Sequence, residues 1–266
     1  MIWCLTFVTG VAEAQRESPY KTSFKIDAPI TAAGMGLSYY GLTLMQDKDG
    51  LTEEEIIRLN KNDVNRFDRF SAGYDSERAN FVSDFPFYGS FLLPFSLITN
   101  TNVRGSAGQV FGLYVQTMAV TGALFTMTNG LNPRIRPLVY SPEVELSEKT
   151  RANARNSFYA GHTAAAASAS FFFAKVFHDF NPDSPLRPYV WAGAAAVPAA
   201  VGYYRLKARK HFLSDNIIGY TIGAAAGILV PQLHKKSNNS GFSLNPTIIP
   251  TFDGMASQGA NLSYTF

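Results

Sequence analysis

Six stretches of the chain are long and apolar enough to form helices that cross a membrane or pack inside a bundle: 28–45, 85–99, 108–128, 158–178, 187–203 and 213–231. None is a leucine-rich span. Two of them, "YVWAGAAAVPAAVGYY" and "IIGYTIGAAAGILV", are built largely from Ala and Gly, and small residues let helix backbones approach closely where lipid removes the hydrophobic drive. The intervening segment 46–84 is polar, and in it Ile56, Leu59, Val64, Phe67 and Phe70 recur at helical spacing, which predicts an amphipathic helical connection. Thr52 and Glu55 have the spacing of a capping box at its start. "DKDG" at 47–50 reads as the turn before that helix. A calcium loop registered on Gly50 would put Met45 and Ile56 where carboxylates are required. From about 237 the chain turns to Asn, Ser, Gly and Thr in short alternating runs, which predicts strands or an extended appendage. The ending "NLSYTF" has the look of a last barrel strand, but this much sequence cannot close a barrel.

The expected fold is all-α: a six-helix transmembrane bundle over 16–236, with a short extended or β appendage at 237–266. A soluble helical bundle is the competing reading. Composition favours the membrane. Only 16% of the 266 residues are charged, against roughly 25% in an ordinary soluble domain, and 14% are aromatic, so apolar surface is in surplus. The net charge of +3 is small and scattered. No basic stripe interleaves with stacking aromatics, so nucleic acid is not an expected partner. The single cysteine, Cys4, excludes a disulfide framework and offers no zinc site. The opening 1–15 reads either as a signal segment ending near Ala12-Glu13-Ala14 or as a frayed apolar terminus, because no basic residue precedes the apolar run.

Residues capable of chemistry gather in three islands, each at the end of a predicted helix. "NGLNPRIRPLVY" at 129–140 offers Asn129, Arg134 and Arg136, and guanidinium forks match phosphate oxygens. Gly161-His162 opens the fourth helix. Helix N-termini bind anions through amides that lack intrahelical partners, a glycine lets an oxyanion come close, and a histidine there can protonate a leaving oxygen. "YYRLKARKHFLSDNIIGY" at 203–220 places Arg205 six residues before His211, and Asp215 four after it. On a continuous helix His211 and Asp215 share a face, where the carboxylate would fix the imidazole tautomer. Half a metal site is the alternative, but no third ligand stands at helical spacing and the surrounding cations oppose it. His178 and His234 lie near predicted helix ends opposite the islands and are read as interfacial.

In order and placement these islands resemble the type 2 phosphatidic acid phosphatase superfamily. Its pattern is Lys-x6-Arg-Pro, then Pro-Ser-Gly-His, then Ser-Arg-x5-His-x3-Asp, and the likeness spans about 108–231. This chain departs from it at Asn129 for Lys, Ala160 for Ser and Tyr204 for Ser. Arg134, Lys207, Arg209 and Lys210 are the cations expected to restore charge. The resemblance implies a metal-independent, cofactor-free phosphatase. Arg136 and Arg205 would clamp the phosphoryl group, with Asn129 and the Gly161 and His162 amides completing the cradle. His211, oriented by Asp215, would attack phosphorus, and His162 would protonate the leaving alcohol. The implied partners are a lipid or other phosphate ester and a membrane, with the site on the periplasmic or extracytoplasmic side. Two other readings share the same residues: a vanadate-dependent haloperoxidase, and a noncatalytic phospholipid-binding or membrane-assembly protein with a degenerate site.

Overall fold

The computed structural model describes residues 17–74, 76–236, 242–250 and 256–264; the segment 1–15, read above as a signal or a frayed terminus, lies outside them. The described helices are α1 (Phe24–Gln46), α2 (Glu53–Arg58), α3 (Glu77–Ser96), α4 (Thr101–Arg104), α5 (Ala107–Leu131), α6 (Leu146–Lys149), α7 (Gly161–Phe180), α8 (Arg187–Lys207) and α9 (Leu213–Leu233). The six predicted stretches therefore correspond to α1, α3, α5, α7, α8 and α9. The tail forms an antiparallel hairpin of β1 (Phe242–Pro250) and β2 (Ala256–Tyr264), in register from Phe242 opposite Tyr264 to Pro250 opposite Ala256.

Helix α7 is the centre of the bundle, packed by α9, α8, α3 and α5, while α1 lies along α5. Its Ala run exists to be approached. A methyl added at Gly219, Gly223 or Gly227 of α9 would overlap the carbonyl oxygen of Ala160, which caps α7, or of Ala164 or Ser168 within it, respectively. The four-residue spacing on both helices makes this one continuous seam of small residues, the arrangement that brings helix backbones together in lipid. Thr163 closes the seam near its start by donating from Oγ1 to Asn216 Oδ1 at 2.7 Å.

The dressing of α3 is inverted relative to a soluble helix. Phe81, Phe85, Tyr88, Leu92 and Phe95 are exposed, whereas Ala79, Ser83 and Ser90 are buried. An aromatic stripe facing outward and a small, polar face turned inward suit a helix surrounded by lipid. Glu77–Thr99, Ala107–Leu131 and Leu213–Leu233 are long and apolar enough to cross a membrane. Helices α1, α7 and α8 are of similar length but fall below the same hydropathy. In α7 the cause is His162, Lys175, His178 and Asp179 together with Ser and Thr, and protein rather than lipid surrounds much of the helix: twelve of its residues are buried.

The connection from α1 to α3 corrects the expectation of an amphipathic helix. The capping box is present, with Glu55 N donating to Thr52 Oγ1 and Thr52 N to Glu55 Oε2, but α2 ends at Arg58. Two short 3-10 turns follow, at Lys61–Asp63 and Arg69–Ser71. Asn60 diverts the chain by accepting from Asn62 N, and Arg69 donates to the carbonyls of Asn62 and Val64. Side chains of this kind offer the backbone partners outside a helix. The connection instead packs on the long 132–160 loop, through Leu51, Leu138, Val139, Val144 and Ala154.

Because the seam admits no side chain, Gly223→Ala is expected to destabilise the fold by about 1–3 kcal/mol through overpacking. The control Gly36→Ala, whose methyl meets nothing within 4 Å, should leave stability unchanged or slightly raised. Thermal unfolding in detergent compares the two.

Candidate active site

Main-chain bonds lace the three islands together at one end of the bundle. Arg134 N donates to Arg155 O (2.9 Å), Arg136 N to Ala154 O (2.8 Å) and Ser157 N to Arg134 O (3.0 Å), which ties the chain after α5 to the approach to α7. Leu138 N donates to Arg209 O (3.2 Å), and Ala160 N to Asp215 O (3.1 Å), which adds the α8–α9 turn and the start of α9. His211, 2% exposed, has Arg136, Arg205 and His162 within electrostatic reach.

His211 does not lie on α9. It sits in the turn before it, and its Nδ1 donates to the carbonyl oxygen of Ser157 at 2.7 Å. A carbonyl can only accept, so the proton is on Nδ1 and the Nε2 lone pair is left for chemistry. The expected His211–Asp215 pairing is thereby corrected. Asp215 Oδ2 accepts from Ser157 Oγ at 2.6 Å and from Phe212 N at 2.9 Å, and Oδ1 pairs with Arg134. Asp215 reaches His211 through Ser157, because the helix that would have aligned them begins only at Leu213. Burial first, then the charges of Arg136 and Arg205, hold the His211 imidazole well below its ordinary value near 6.5, so it is neutral at pH 7.

Arg136 and Arg205 are 8% and 6% exposed. Arg136 donates from Nε and Nη2 to the carbonyl oxygen of Asn156, both at 3.1 Å. Arg205 Nη1 donates to Asn80 Oδ1 at 3.1 Å, and its Nε has no partner among the described residues. Burial, and then Arg205, push the Arg136 guanidinium down to about 10, which still leaves it charged. His162 lies one residue into α7 and stacks on Phe87 of α3, with ring centroids 4.2 Å apart and planes 36° apart.

Two predicted cradle members have other duties. Asn129 is fully buried and donates from Nδ2 to Asn156 O at 3.4 Å, beside Arg136. It buttresses the arginine's anchor. Gly161 is glycine because the Phe125 ring fills the space its side chain would need, which accounts for the residue without any oxyanion. The cations expected to restore charge are also engaged. Arg134 pairs with Asp68 and Asp215, Lys207 lies 4.5 Å over the Tyr74 ring, Lys210 is 3.6 Å from Glu148, and Arg209 occupies the left-handed region. The cation that meets Asn129 is Lys48, just beyond α1: Nζ donates to Asn129 O at 2.5 Å and to Asn156 Oδ1 at 2.8 Å. His178 contacts Arg187 and Trp191, and His234 meets Asp27 at 3.0 Å, at the far ends of α7 and α9.

All three islands fall within residues 110–239, which match the sequence model of the PAP2 superfamily. This segment, just under half of the chain, is similar to the PAP2 superfamily. No curated protein matches the chain. A solved structure similar to it is described as the first transmembrane PAP2 type phosphatidylglycerolphosphate phosphatase from Bacillus subtilis, at 19% identity and a TM-score of 0.46 over 79% of this chain and 92% of that one. At family level the PAP2 match supports a phosphoric ester hydrolase acting on lipid phosphates. Lys48, Asp68, Asn80 and Phe87, which sequence reasoning missed, all precede the PAP2 segment. No motif spacing connects them to it: the sequence places Lys48 in the turn at 47–50, Asp68 and Asn80 in the polar connection 46–84, and Phe87 in the apolar stretch 85–99.

The buried, neutral His211 makes a pH prediction. Its folded value is depressed, so below pH 6.5 the unfolded chain binds the extra proton and the folded one resists it. The thermal midpoint should therefore fall from pH 7 to pH 5, and His211→Gln should show a shallower slope over that window.

Proposed function

We propose that the protein is a phosphatase that hydrolyses a phosphomonoester or diphosphate of an amphiphilic molecule through a phosphohistidine on His211. One observation carries this reading. Arg136 and Arg205 are buried cations whose hydrogen bonds go to neutral oxygens, and among the described residues neither has a carboxylate within ion-pair distance. Buried charge is costly unless paired, and a phosphate dianion between the two forks supplies the missing partner beside the His211 lone pair.

The phosphoryl group binds Arg136 and Arg205, with α7's first amides as further donors. The His211 Nε2 lone pair attacks phosphorus, the ester P–O bond breaks, and protonated His162 gives its proton to the departing alcohol oxygen. Neutral His162 then takes a proton from water, the hydroxide attacks the phosphohistidine, and inorganic phosphate leaves with His211 restored. The exposed aromatic stripe of α3 keeps the substrate's apolar part in lipid while its headgroup reaches the site. By family analogy, this end of the bundle faces the extracytoplasmic side. Its many Lys and Arg residues run against the positive-inside bias, and phosphate binding is the selective reason for them.

Phosphate release from a panel of lipid and soluble phosphate esters, measured in detergent with chelator present, tests the reading. Wild type should release phosphate and form an acid-labile phosphoenzyme, and His211→Ala should abolish both. The placement of Asn129 behind Arg136 favours one second reading, a phospholipid-headgroup binder. Lipid phosphate binding that His211→Ala leaves intact, with no release from any ester, would establish that reading instead.

A further inference from the structure

Asp68 is a fully buried carboxylate in the connection between α1 and α3, outside the PAP2 segment. Its Oδ1 accepts from Ser214 N at 2.9 Å, and its Oδ2 from Ser214 Oγ at 2.6 Å, Asn65 Nδ2 at 2.8 Å and Arg134 Nη2 at 2.7 Å. Through Ser214 it satisfies a first-turn amide of α9, one of the donors a helix start leaves open. Arg134 is fixed on several sides. It forks between Asp68 and Asp215, donates from Nη1 to Ser214 Oγ at 2.9 Å, and lies 4.8 Å over the Phe212 ring. The chain of contacts then runs from Asp215 Oδ2 to Ser157 Oγ, and from Ser157 O to His211 Nδ1. Asp68, Asp215 and Ser157 are wholly buried, so these three have no water as a substitute partner, whereas Arg134 is about a quarter exposed.

We propose that Asp68 and Arg134 are positioning residues for His211, acting through Asp215 and Ser157 to set the ring's tautomer and aim. The proposal rests on the phosphatase reading for its rate readout. Two carboxylates held by one guanidinium form a rigid bracket. If Asp68 loses its charge, Arg134 is held from one side only, and the carboxylate that anchors Ser157 loses its fixed partner. Ser157 then keeps its main-chain bond to Arg134 O, but its side-chain anchor slackens and the acceptor of His211 is held less firmly. Near-attack geometry is sensitive to shifts of about 1 Å, so the effect falls on the chemical step rather than on phosphate affinity.

Asp68→Asn keeps the shape and removes the charge. In the full chain in detergent, at a temperature well below each variant's thermal midpoint, it is expected to lower kcat for phosphate release by about 10- to 100-fold with KM changed less than about twofold. Arg134→Gln should behave alike, adding Asp68→Asn to it should cost nothing further, and Arg134→Lys should restore part of the rate. Independently of turnover, nitrogen NMR of histidine-labelled protein should show His211 as the Nδ1–H tautomer in wild type and as a mixture in Asp68→Asn, the signals being assigned by single His→Gln variants. An Asp68→Asn protein with wild-type kcat and tautomer would overturn the proposal. So would a loss of rate that tracks a fall in thermal midpoint and is not relieved by Arg134→Lys. If wild type releases no phosphate, the hydrolase reading fails, and the tautomer comparison still decides whether the bracket positions His211.

Discussion

The close approach of α7 and α9 is the constraint on which the site depends. Ala160, Ala164 and Ser168 present bare backbone to Gly219, Gly223 and Gly227, and where the seam begins, the amide of Ala160 reaches the carbonyl of Asp215 at 3.1 Å. Larger residues on either helix would part the two starts. His162, one residue into α7, and Asp215, in the first turn of α9, would then cease to share a neighbourhood. This explains why the helix behind the Gly-His pair is rich in Ala and Ser. It spends its surface on protein contacts, so it has no need of lipid-facing bulk, and it is correspondingly less apolar than α3, α5 or α9.

Charge at the site is partitioned by the fold. The buried carboxylates Asp68 and Asp215 are both served by Arg134, while Arg136 and Arg205 are held by an Asn156 carbonyl and an Asn80 amide oxygen. Neutral acceptors hold a guanidinium in position without cancelling its charge. Had Asp215 faced Arg136 directly, the pair would have been self-sufficient and the pocket indifferent to anions. The same arrangement keeps His211 neutral, because two cations and burial act on it together.

Much of the fold was legible because it is local. The apolar stretches predicted α1, α3, α5, α7, α8 and α9, the Thr52–Glu55 pair marked the start of α2, and the change of composition near 237 foretold the hairpin. The islands were legible because each lies at a helix end, in an order with Arg136 before Gly161-His162 before Arg205, and because Arg205, His211 and Asp215 stand at fixed spacing. What escaped is long-range. Asn80 and Phe87 occur in a helix whose pattern announces only its lipid face. They show their roles when α3 packs against α8 and α7, so that one side chain meets Arg205 and the other His162. The connection at 46–84 misled because its apolar residues do keep helical spacing. Polar side chains at Asn60 and Arg69 break the helix, and no periodicity count weighs that competition.

Asn129 shows how a motif position can change without emptying the site of charge. In the motif a lysine stands there. Here the side chain is an amide turned onto Asn156, and the cation comes from Lys48, 81 residues earlier in the chain, bonded to the main-chain oxygen of the same Asn129. Lys48 also holds Asn156 Oδ1, so it stiffens the residue whose carbonyl anchors Arg136. Its charge acts on the cradle as a field from behind that anchor. A field attracts an anion but does not orient it, whereas a side-chain ammonium in contact does both. In the proposed phosphatase the burden of orientation therefore falls on Arg136 and Arg205, which would make the neutral oxygens that aim them, Asn156 O and Asn80 Oδ1, as consequential as the motif arginines themselves.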